Sequence, residues 1–448
     1  MLQFHSAVAE NQPTNKNRMI TELSNFAARL LPLLRDTAGQ AHHDEFDKLA
    51  LELFALQFKH NAAYRKICEA RGCTPNAVEH WTQIPVVPTS AFKELDLTCL
   101  APGERTAVFH SSGTTEQKPS RHFHSPESLK LYEASLIPWF KRHVVPPGLG
   151  SGISALGLCI LTPPPAQVPH SSLVHMFETV RRKLGAAETA FVGKLSDDGS
   201  WTLNFDATFA ALNSSPVTRH PSLLLGTAFS FVHLLDYLAG KNMRFDLPAG
   251  SRVMETGGYK NRSRSLPKTE LHQLITEKLG VPPSHIICEY GMSELSSQAY
   301  DGTIQANILD LPHPGPLPKE RENCRQSAGE SVRFRNSKER TMLFPLPEGE
   351  GQGEGKRAVK SHYFRFPPWA RAQIISPETG REIAEGETGL IRVFDLANVF
   401  SVMAIQTEDL GIRRGNGFEL IGRATLAEPR GCSLMTYSAL RTPHCALP

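Results

Sequence analysis

Residues 107–123 read AVFHSSGTTEQKPSRHF, and this stretch carries the clearest functional pattern in the chain. A short apolar run of β type leads into a loop of small hydroxyl residues around one glycine, namely Ser111, Ser112, Gly113, Thr114 and Thr115. Glycine lets a backbone approach a ligand closely, and N–H and hydroxyl donors can face anionic oxygens. The loop therefore predicts a polyphosphate cradle, to which Lys118 and Arg121 can add positive charge.

The alternative for this loop is an ordinary surface turn, because serine, threonine and glycine also dominate turns. The lysine of the G-x-x-x-x-G-K-[ST] phosphate loop is missing from its expected place. Residues elsewhere in the chain must therefore decide between the two interpretations.

The composition of the 448-residue chain is that of a globular protein, with 40% hydrophobic residues and a mean hydropathy of −0.27. The net charge of +3 is too balanced to predict a nucleic-acid partner. We expect no membrane span and no signal peptide, because the chain lacks a run of about 18 apolar residues and its N-terminus lacks an apolar core. The eight cysteines form no C-x-x-C pair, which argues against a zinc site and favours a reduced, cytoplasmic protein.

The order of apolar segments predicts an α/β fold. Residues 20–72 have helical spacing, and Ser125 and Pro126 are typical of a helix start. Short apolar strands are then predicted at 155–161, 223–227, 251–256 and 285–290, separated by helical stretches. This alternation favours a mostly parallel sheet covered by helices, in which ligands bind at the carboxyl ends of the strands.

Residues 311–358 break this alternation and are rich in Pro, Gly, Glu, Lys and Arg, so we expect a disordered, low-complexity insertion. Residues 349–355 can be encoded by GGAGAGGGCCAGGGTGAGG, whose reverse complement encodes Pro-His-Pro-Gly-Pro-Leu, the sequence of residues 312–317. The two ends can thus be arms of one inverted repeat, which favours in-frame insertion of a mobile element over an ordinary linker. The predicted domains are a core at 1–310, the insertion at 311–358, a core continuation at 359–435 and an unpatterned tail at 436–448.

A second group of polar residues follows the strand predicted at 285–290. Tyr290 offers an aromatic face for a flat base, Gly291 follows it, and the Ser293 hydroxyl can donate to a phosphate oxygen. Glu294 can hold Mg²⁺, a hard cation that prefers oxygen ligands. The alternatives are a core aromatic for Tyr290 and a solvated charge for Glu294.

Three further patterns are weaker when each is taken alone. Asp409 follows the apolar run at 399–405 and, as an acid at a strand end, can accept from ribose hydroxyls; it can also be a turn residue. Arg423 ends a predicted strand and suits ribose or phosphate contact, although a surface position is the alternative. Gly257 and Gly258 end another strand, where a ligand can approach the backbone closely, or where the chain simply turns.

The order of these motifs resembles that of the adenylate-forming (ANL-type) enzymes: a hydroxyl-rich glycine loop, Y-G-x-S-E, T-x-D-x-G and G-R. Within that superfamily the chain is similar to the LuxE-type acyl-protein synthetases, relatives of the phenylacetate-CoA ligases. HSSGTT at 110–115, HYFRFPPWARAQIISPETG at 362–380 and EPRGCSL at 428–434 all look like that branch. The resemblance covers roughly residues 20–310 and 359–435.

The resemblance implies a large α/β adenylate-forming domain that activates a fatty or other carboxylic acid with ATP to an acyl-adenylate. It implies that the loop at 111–115 holds the β- and γ-phosphates and that Tyr290 stacks on adenine. Ser293 would meet the α-phosphate, Glu294 would bind Mg²⁺, and Asp409 would bind the ribose with help from Arg423. Catalysis would then consist mostly of positioning and of stabilising phosphate charge.

In the LuxE-type branch the acyl group then moves to a cysteine near the C-terminus, and a partner reductase or acyl carrier follows. Cys432 lies where the resemblance implies that nucleophile, and Cys445 is its weaker rival. Only about 25 residues follow Arg423, so we expect the C-terminal lid domain to be truncated or absent, with Lys260 as a speculative substitute for its lysine. The alternative functions are an acyl- or aryl-CoA ligase and a catalytically impaired binding protein of the same fold.

Overall fold

The computed structural model describes residues 15–37, 43–111, 118–146, 156–186, 188–218, 220–259, 263–301 and 363–424. Within them the helices are α1 (Asn15–Leu33), α2 (His43–His60), α3 (Ala62–Ala70), α4 (Ala91–Glu94), α5 (Pro126–Val144), α6 (Ser172–Leu184), α7 (Phe205–Thr218), α8 (Ala228–Gly240) and α9 (Lys268–Leu279). The strands are β1 (Val87–Pro88), β2 (Ala107–His110), β3 (Arg121–His124), β4 (Gly157–Ile160), β5 (Glu188–Phe191), β6 (Gly193–Leu195), β7 (Trp201–Leu203), β8 (Ser222–Thr227), β9 (Arg252–Thr256), β10 (Ile286–Tyr290), β11 (Ala299–Tyr300), β12 (Ala370–Ile375), β13 (Thr388–Asp395), β14 (Ala404–Arg414) and β15 (Gly417–Arg423). None of the helices in this described part is long and apolar enough to cross a membrane.

The larger sheet has six strands in the order β11-β10-β9-β8-β4-β5, all parallel except β11 at one edge. Every residue of β8 is buried, because alternate side chains enter different cores. Leu223 and Leu225 pack into one core together with α5, whereas Leu224 packs into a second core together with α8. The four strands predicted from continuous apolar runs are thus confirmed as β4, β8, β9 and β10, and so is the α/β fold class.

Local capping explains where two of the helices begin. The Ser125 hydroxyl accepts from the Ser128 backbone N–H at 3.2 Å, and Pro126 occupies the first turn of α5, as predicted. Thr227, the last residue of β8, caps α8 in the same way by accepting from the Ser230 N–H. The helical region predicted at 20–72 is confirmed as α1, α2 and α3.

A second sheet, which the sequence did not predict, is mostly antiparallel and runs in the order β1-β14-β13-β12, with β15 paired to β14. Its one parallel pair joins β14 to the two-residue strand β1. The long strand β14 therefore changes partner along its length: its first half lies against β1, and its second half forms a hairpin with β15.

This hairpin corrects the expectation that Asp409 lies at a strand end. Residues 399–403 precede the strand, and β14 continues past Asp409 as far as Arg414. The strand continues because β15 supplies a hydrogen-bonding partner, with Asp409 in register with Arg423. The sequence of β14 shows neither its full length nor its pairing with β15, because a partner strand does not change the hydrophobic pattern of the strand that it pairs with.

A separate two-stranded hairpin presents the predicted phosphate loop. Strands β2 and β3 pair from Ala107 opposite His124 to His110 opposite Arg121, so residues 111–120 join the two strands at the tip. The apolar lead-in and the basic return of residues 107–123 are thus two arms of one antiparallel unit. The predicted insertion at 311–358 and the predicted tail at 436–448 lie outside the described residues, and the domain boundaries stay predictions.

Candidate active site

Ser120, which directly precedes β3, lies against the residues that follow β10. The Ser120 backbone N–H donates to the Ser111 hydroxyl at 3.0 Å, and the Ser120 hydroxyl lies 3.4 Å from that of Ser293. Ser293 in turn donates to the carboxylate of Glu294 at 2.9 Å. Ser111 and Ser120 therefore form one row of hydroxyl and carboxylate oxygens with Ser293 and Glu294, which are about 170 residues away in sequence.

The buried His122 supports this row through a hydrogen bond to the backbone of Ser293. The Nδ1 atom of His122 lies 2.8 Å from the backbone carbonyl oxygen of Ser293. A carbonyl only accepts, so Nδ1 carries the proton and donates. Burial lowers the pKa of His122 to about 4, against a smaller opposing effect of the Ser293 carbonyl, so the ring is neutral at pH 7. His122 was not among the predicted site residues, although it alternates with His124 along a strand.

The turn after Glu294 is fixed by one fully buried carboxylate, that of Asp395 at the end of β13. Its Oδ2 atom accepts from the backbone N–H groups of Ser296 at 2.9 Å and Ser297 at 2.8 Å. Its Oδ1 atom accepts from the Ser297 hydroxyl at 2.7 Å and the Ala397 N–H at 3.0 Å. Burial raises the pKa of Asp395, and the four donors act in the opposite direction by stabilising the charged form.

Asn398 completes this connection between the second sheet and the motif. Its side-chain amide donates to the backbone carbonyl of Glu294 at 2.8 Å, and its Oδ1 atom accepts from the Ser296 hydroxyl at 2.6 Å. The Gln57 side chain from α2 donates to the Asn398 carbonyl at 2.8 Å. Sequence analysis did not predict Asp395, Asn398 or Gln57 as part of the site, because their partners are about 100 to 340 residues away.

Tyr290 joins the motif to the β14–β15 hairpin. Its hydroxyl donates to the Oδ2 atom of Asp409 at 2.9 Å, and Arg423 Nε lies 3.7 Å from Oδ1. Burial raises the pKa of Asp409, whereas the bond from Tyr290 and the charge of Arg423 lower it. The Tyr290 ring is buried, with its closest ring contact edge-on to Phe418 at 5.1 Å, while the Arg423 side chain is 79% exposed.

The predicted glycines lie directly after the carboxyl ends of β9 and β10. Gly257, Gly258 and Gly291 are exposed and carry no side chain; we call these three residues the glycine platform. Gly257 has a φ of +73°, which a residue with a side chain rarely adopts. Lys118 does not join the row of hydroxyls, because its ammonium lies 3.4 Å from the carboxylate of Glu94.

Seven predicted residues lie outside the part of the chain that the structure describes. Ser112, Gly113, Thr114, Thr115 and Cys432 lie outside the described residues, as do Cys445 and Lys260. Their assigned roles stay predictions. The structure brings together Ser111, Ser293 and Glu294 in one group, and Tyr290, Asp409 and Arg423 in a second group.

Comparison with known proteins identifies the family to which the chain belongs. The model of the family "Acyl-protein synthetase, LuxE" matches residues 13–301, well over half of the chain. The protein belongs to the LuxE acyl-protein synthetase family. Two proteins named long-chain-fatty-acid–luciferin-component ligase are similar to it. The one from Vibrio harveyi is 22% identical and that from Aliivibrio fischeri 21% identical, over 86% and 87% of this chain respectively and 86% of each relative.

The fold of this LuxE family member is that of the adenylate-forming ligases. A solved structure of 2-hydroxyisobutyryl-CoA ligase, in complex with its acyl-adenylate and CoA, superimposes with a TM-score of 0.54 at 14% identity. It covers 87% of this chain and 70% of that chain. A second structure of the same ligase, in the postadenylation state, gives a TM-score of 0.53. The predicted family, fold class and ligase activity, by which an acyl group is activated, are thereby confirmed.

Proposed function

We propose that this LuxE family member activates a fatty acid with ATP to an acyl-adenylate and then transfers the acyl group to a cysteine of its own chain. The observation that carries the proposal is the contact between the hydroxyls of Ser120 and Ser293, since Ser120 also bonds to Ser111 and Ser293 also bonds to Glu294. It supports a site in which the hydroxyl-rich loop and the Y-G-x-S-E motif act on the same triphosphate. The names of the two curated relatives support a long-chain fatty acid as the substrate.

In the first step a carboxylate oxygen of the fatty acid attacks the α-phosphorus of ATP, and the bond to pyrophosphate breaks. The hydroxyls of Ser111 and Ser120 would donate to phosphate oxygens, where charge accumulates, and that of Ser293 would do so on leaving its bond to Glu294. The Glu294 carboxylate, which accepts a bond from Ser293, fits a hard cation such as Mg²⁺; when bound, the ion would neutralise phosphate charge. Asp409, held by Tyr290, would accept from the ribose hydroxyls.

Four of the five described cysteines are poor candidates for the acyl acceptor. Burial raises the pKa of Cys68, Cys99 and Cys159 to about 12 and that of Cys288 well above its usual range. A buried thiol that stays protonated is a weak nucleophile. Of the five described cysteines, Cys73 alone is partly exposed. This pattern supports Cys432 as the acceptor, with Cys445 as its rival.

Pyrophosphate exchange and acyl labelling test the two steps separately. We expect exchange from pyrophosphate into ATP that depends on a fatty acid, measured over a panel of chain lengths with Mg²⁺. We expect labelled acyl groups to remain on the denatured protein, to be released by hydroxylamine and to be lost in Cys432→Ala, with Cys445→Ala and Cys73→Ala as matched controls.

Each possible outcome of this experiment assigns the function differently. Exchange that is absent across fatty and aryl acids would reject the proposed substrate class. Full labelling of Cys432→Ala would reject that nucleophile. Exchange without labelling, followed by acyl transfer when CoA is added, would make the protein an acyl-CoA ligase instead.

A further inference from the structure

Glu289 is a buried carboxyl group at the ligand-binding edge of the large sheet, and the steps described above do not use it. It directly precedes Tyr290 near the carboxyl end of β10. Its register partners are Thr256 on β9 and Tyr300 on β11, so the three side chains share one face of the sheet. The Thr256 hydroxyl donates to the Glu289 carboxylate.

The carboxyl group of Glu289 lies directly beside the glycine platform. A Cβ atom placed on Gly291 would lie 2.3 Å from the Oε1 atom of Glu289, so a side chain at 291 would collide with the carboxyl group. Gly291 itself is exposed. Glu289 is therefore buried, while its carboxyl group lies beside the backbone of Gly291, at the edge where ligands of such sheets bind.

The neighbours of Glu289 suit a group that exchanges protons near neutral pH. Burial raises its pKa to about 7, the bond from Thr256 opposes this, and the charge of Glu255 on β9 adds to it. The other titratable groups that face it are the phenols of Tyr132 from α5 and Tyr300 from β11. The Tyr300 hydroxyl is buried and has no hydrogen-bond partner, so no described donor besides Thr256 competes for the carboxylate on that side.

We propose that Glu289 is the general base of the acyl-transfer step and takes the proton of the thiol that accepts the acyl group. The inference rests on the proposed function, in that a thiol attacks an acyl-adenylate. As the C–S bond forms, the bond between the carbonyl carbon and the AMP oxygen breaks and AMP leaves. The thiol proton moves to the Glu289 carboxylate and is later released to water.

The two half-reactions differ in their need for such a base, and this difference makes the proposal testable. In adenylation the nucleophile is already an ionised carboxylate, and no proton has to be removed. In transfer the nucleophile is a thiol, which is mostly protonated at pH 7. A general base contributes about 10²- to 10⁴-fold to a step of this kind.

The experiment measures both half-reactions in the same full-length protein, with the fatty acid that gives the fastest pyrophosphate exchange. In Glu289→Gln we expect the single-turnover rate of acyl-enzyme formation to fall about 100-fold. The exchange rate should fall much less, so the ratio of transfer to exchange drops by at least about tenfold. The wild-type transfer rate should rise with pH through about 7, in line with the pKa of Glu289, and this rise should be missing in Glu289→Gln.

Two further variants separate a catalytic role from a structural one. Thr256→Val removes the bond that lowers the pKa of Glu289, so the midpoint of the pH–rate profile should move upward. Glu255→Gln removes a charge that adds to the raised pKa of Glu289, so in this variant the midpoint should move downward. Equal losses of transfer and exchange in Glu289→Gln, or an unchanged ratio, would overturn the proposal. A wild-type protein without exchange or without acyl label would instead reject the proposed function.

Discussion

The hydroxyl group of Tyr290 connects the Y-G-x-S-E motif to the β14–β15 hairpin. The phenol of Tyr290 donates to Asp409, whose pKa is raised by burial and lowered by this bond. Tyr290→Phe keeps the ring but leaves the partly buried carboxylate of Asp409 without this donor, which costs about 1–3 kcal/mol. We expect a lower urea midpoint and a higher KM for ATP in pyrophosphate exchange, because Asp409 is the proposed ribose acceptor.

The matched control is Tyr237→Phe. That tyrosine lies on α8, where its ring stacks on Phe205 at 3.8 Å, in a different part of the fold from Asp409. We expect no change in the KM for ATP in this variant. If Tyr290→Phe is less stable but has an unchanged KM for ATP, Asp409 does not bind the ribose.

At the scale of secondary-structure elements, the end of β13 determines the conformation of the turn that follows Glu294. Asp395→Asn keeps the size of the side chain but replaces one carboxylate oxygen, which accepts two bonds, with an NH₂ group. That group faces hydrogen-bond donors and cannot accept from them. Each donor left unpaired costs about 1–3 kcal/mol, so we expect a clear loss in the free energy of unfolding. We also expect a higher Mg²⁺ concentration for half-maximal exchange, because the displaced turn carries Glu294.

Asp246→Asn is the control for this prediction, because Asp246 is 73% exposed and pairs with Arg244 at the surface. Its free energy of unfolding should change by no more than about 0.5 kcal/mol. If Asp395→Asn loses stability while its Mg²⁺ and ATP dependence stay at wild-type values, Asp395 supports the fold and does not position Glu294.

The same elements show which parts of the structure a sequence can predict. The strands β4, β8, β9 and β10 and the start of α5 follow from local apolar runs and from one capping serine, so they were predicted. The extension of β14 past Asp409 was not, because it depends on pairing with β15. The Asp395 contacts join residues almost 100 positions apart, and no local pattern records which serine N–H a distant carboxylate will meet.

For the site, the sequence predicted residue types but not their surroundings. Ser293 and Glu294 were expected to lie near the loop at 111–115, and Ser120, which bonds to Ser111 of that loop, does contact Ser293. The neutral histidine below Ser293 was missed, because a histidine on a strand gives no indication of whether it will be buried. Glu289 was part of the quoted motif, yet its raised pKa depends on burial that only the folded chain supplies.

Across the whole molecule, buried neutral histidines set the response of stability to acid. Burial lowers the pKa of His122 and His143 to about 4 and that of His124 well below its usual value. Between about pH 6.5 and pH 4 the unfolded chain binds protons at these three positions and the folded chain does not. Each histidine therefore removes about 1.4 kcal/mol of stability per pH unit as the pH falls through this range.

Glu289 acts in the opposite direction, because its raised pKa lets the folded protein bind a proton below about pH 7 that the unfolded chain binds only at lower pH. The proton that Glu289 binds in the folded state offsets roughly one of the three that the histidines bind in the unfolded state. The free energy of unfolding should therefore still decrease on acidification. Urea unfolding at pH 7.5, 6.0 and 5.0 measures this slope. His143→Gln should flatten it by about one proton equivalent, while His80→Gln, at a 51% exposed side chain, should leave it unchanged. A wild-type stability that stays constant or increases down to pH 5 would show that the buried histidines accept protons in the folded state.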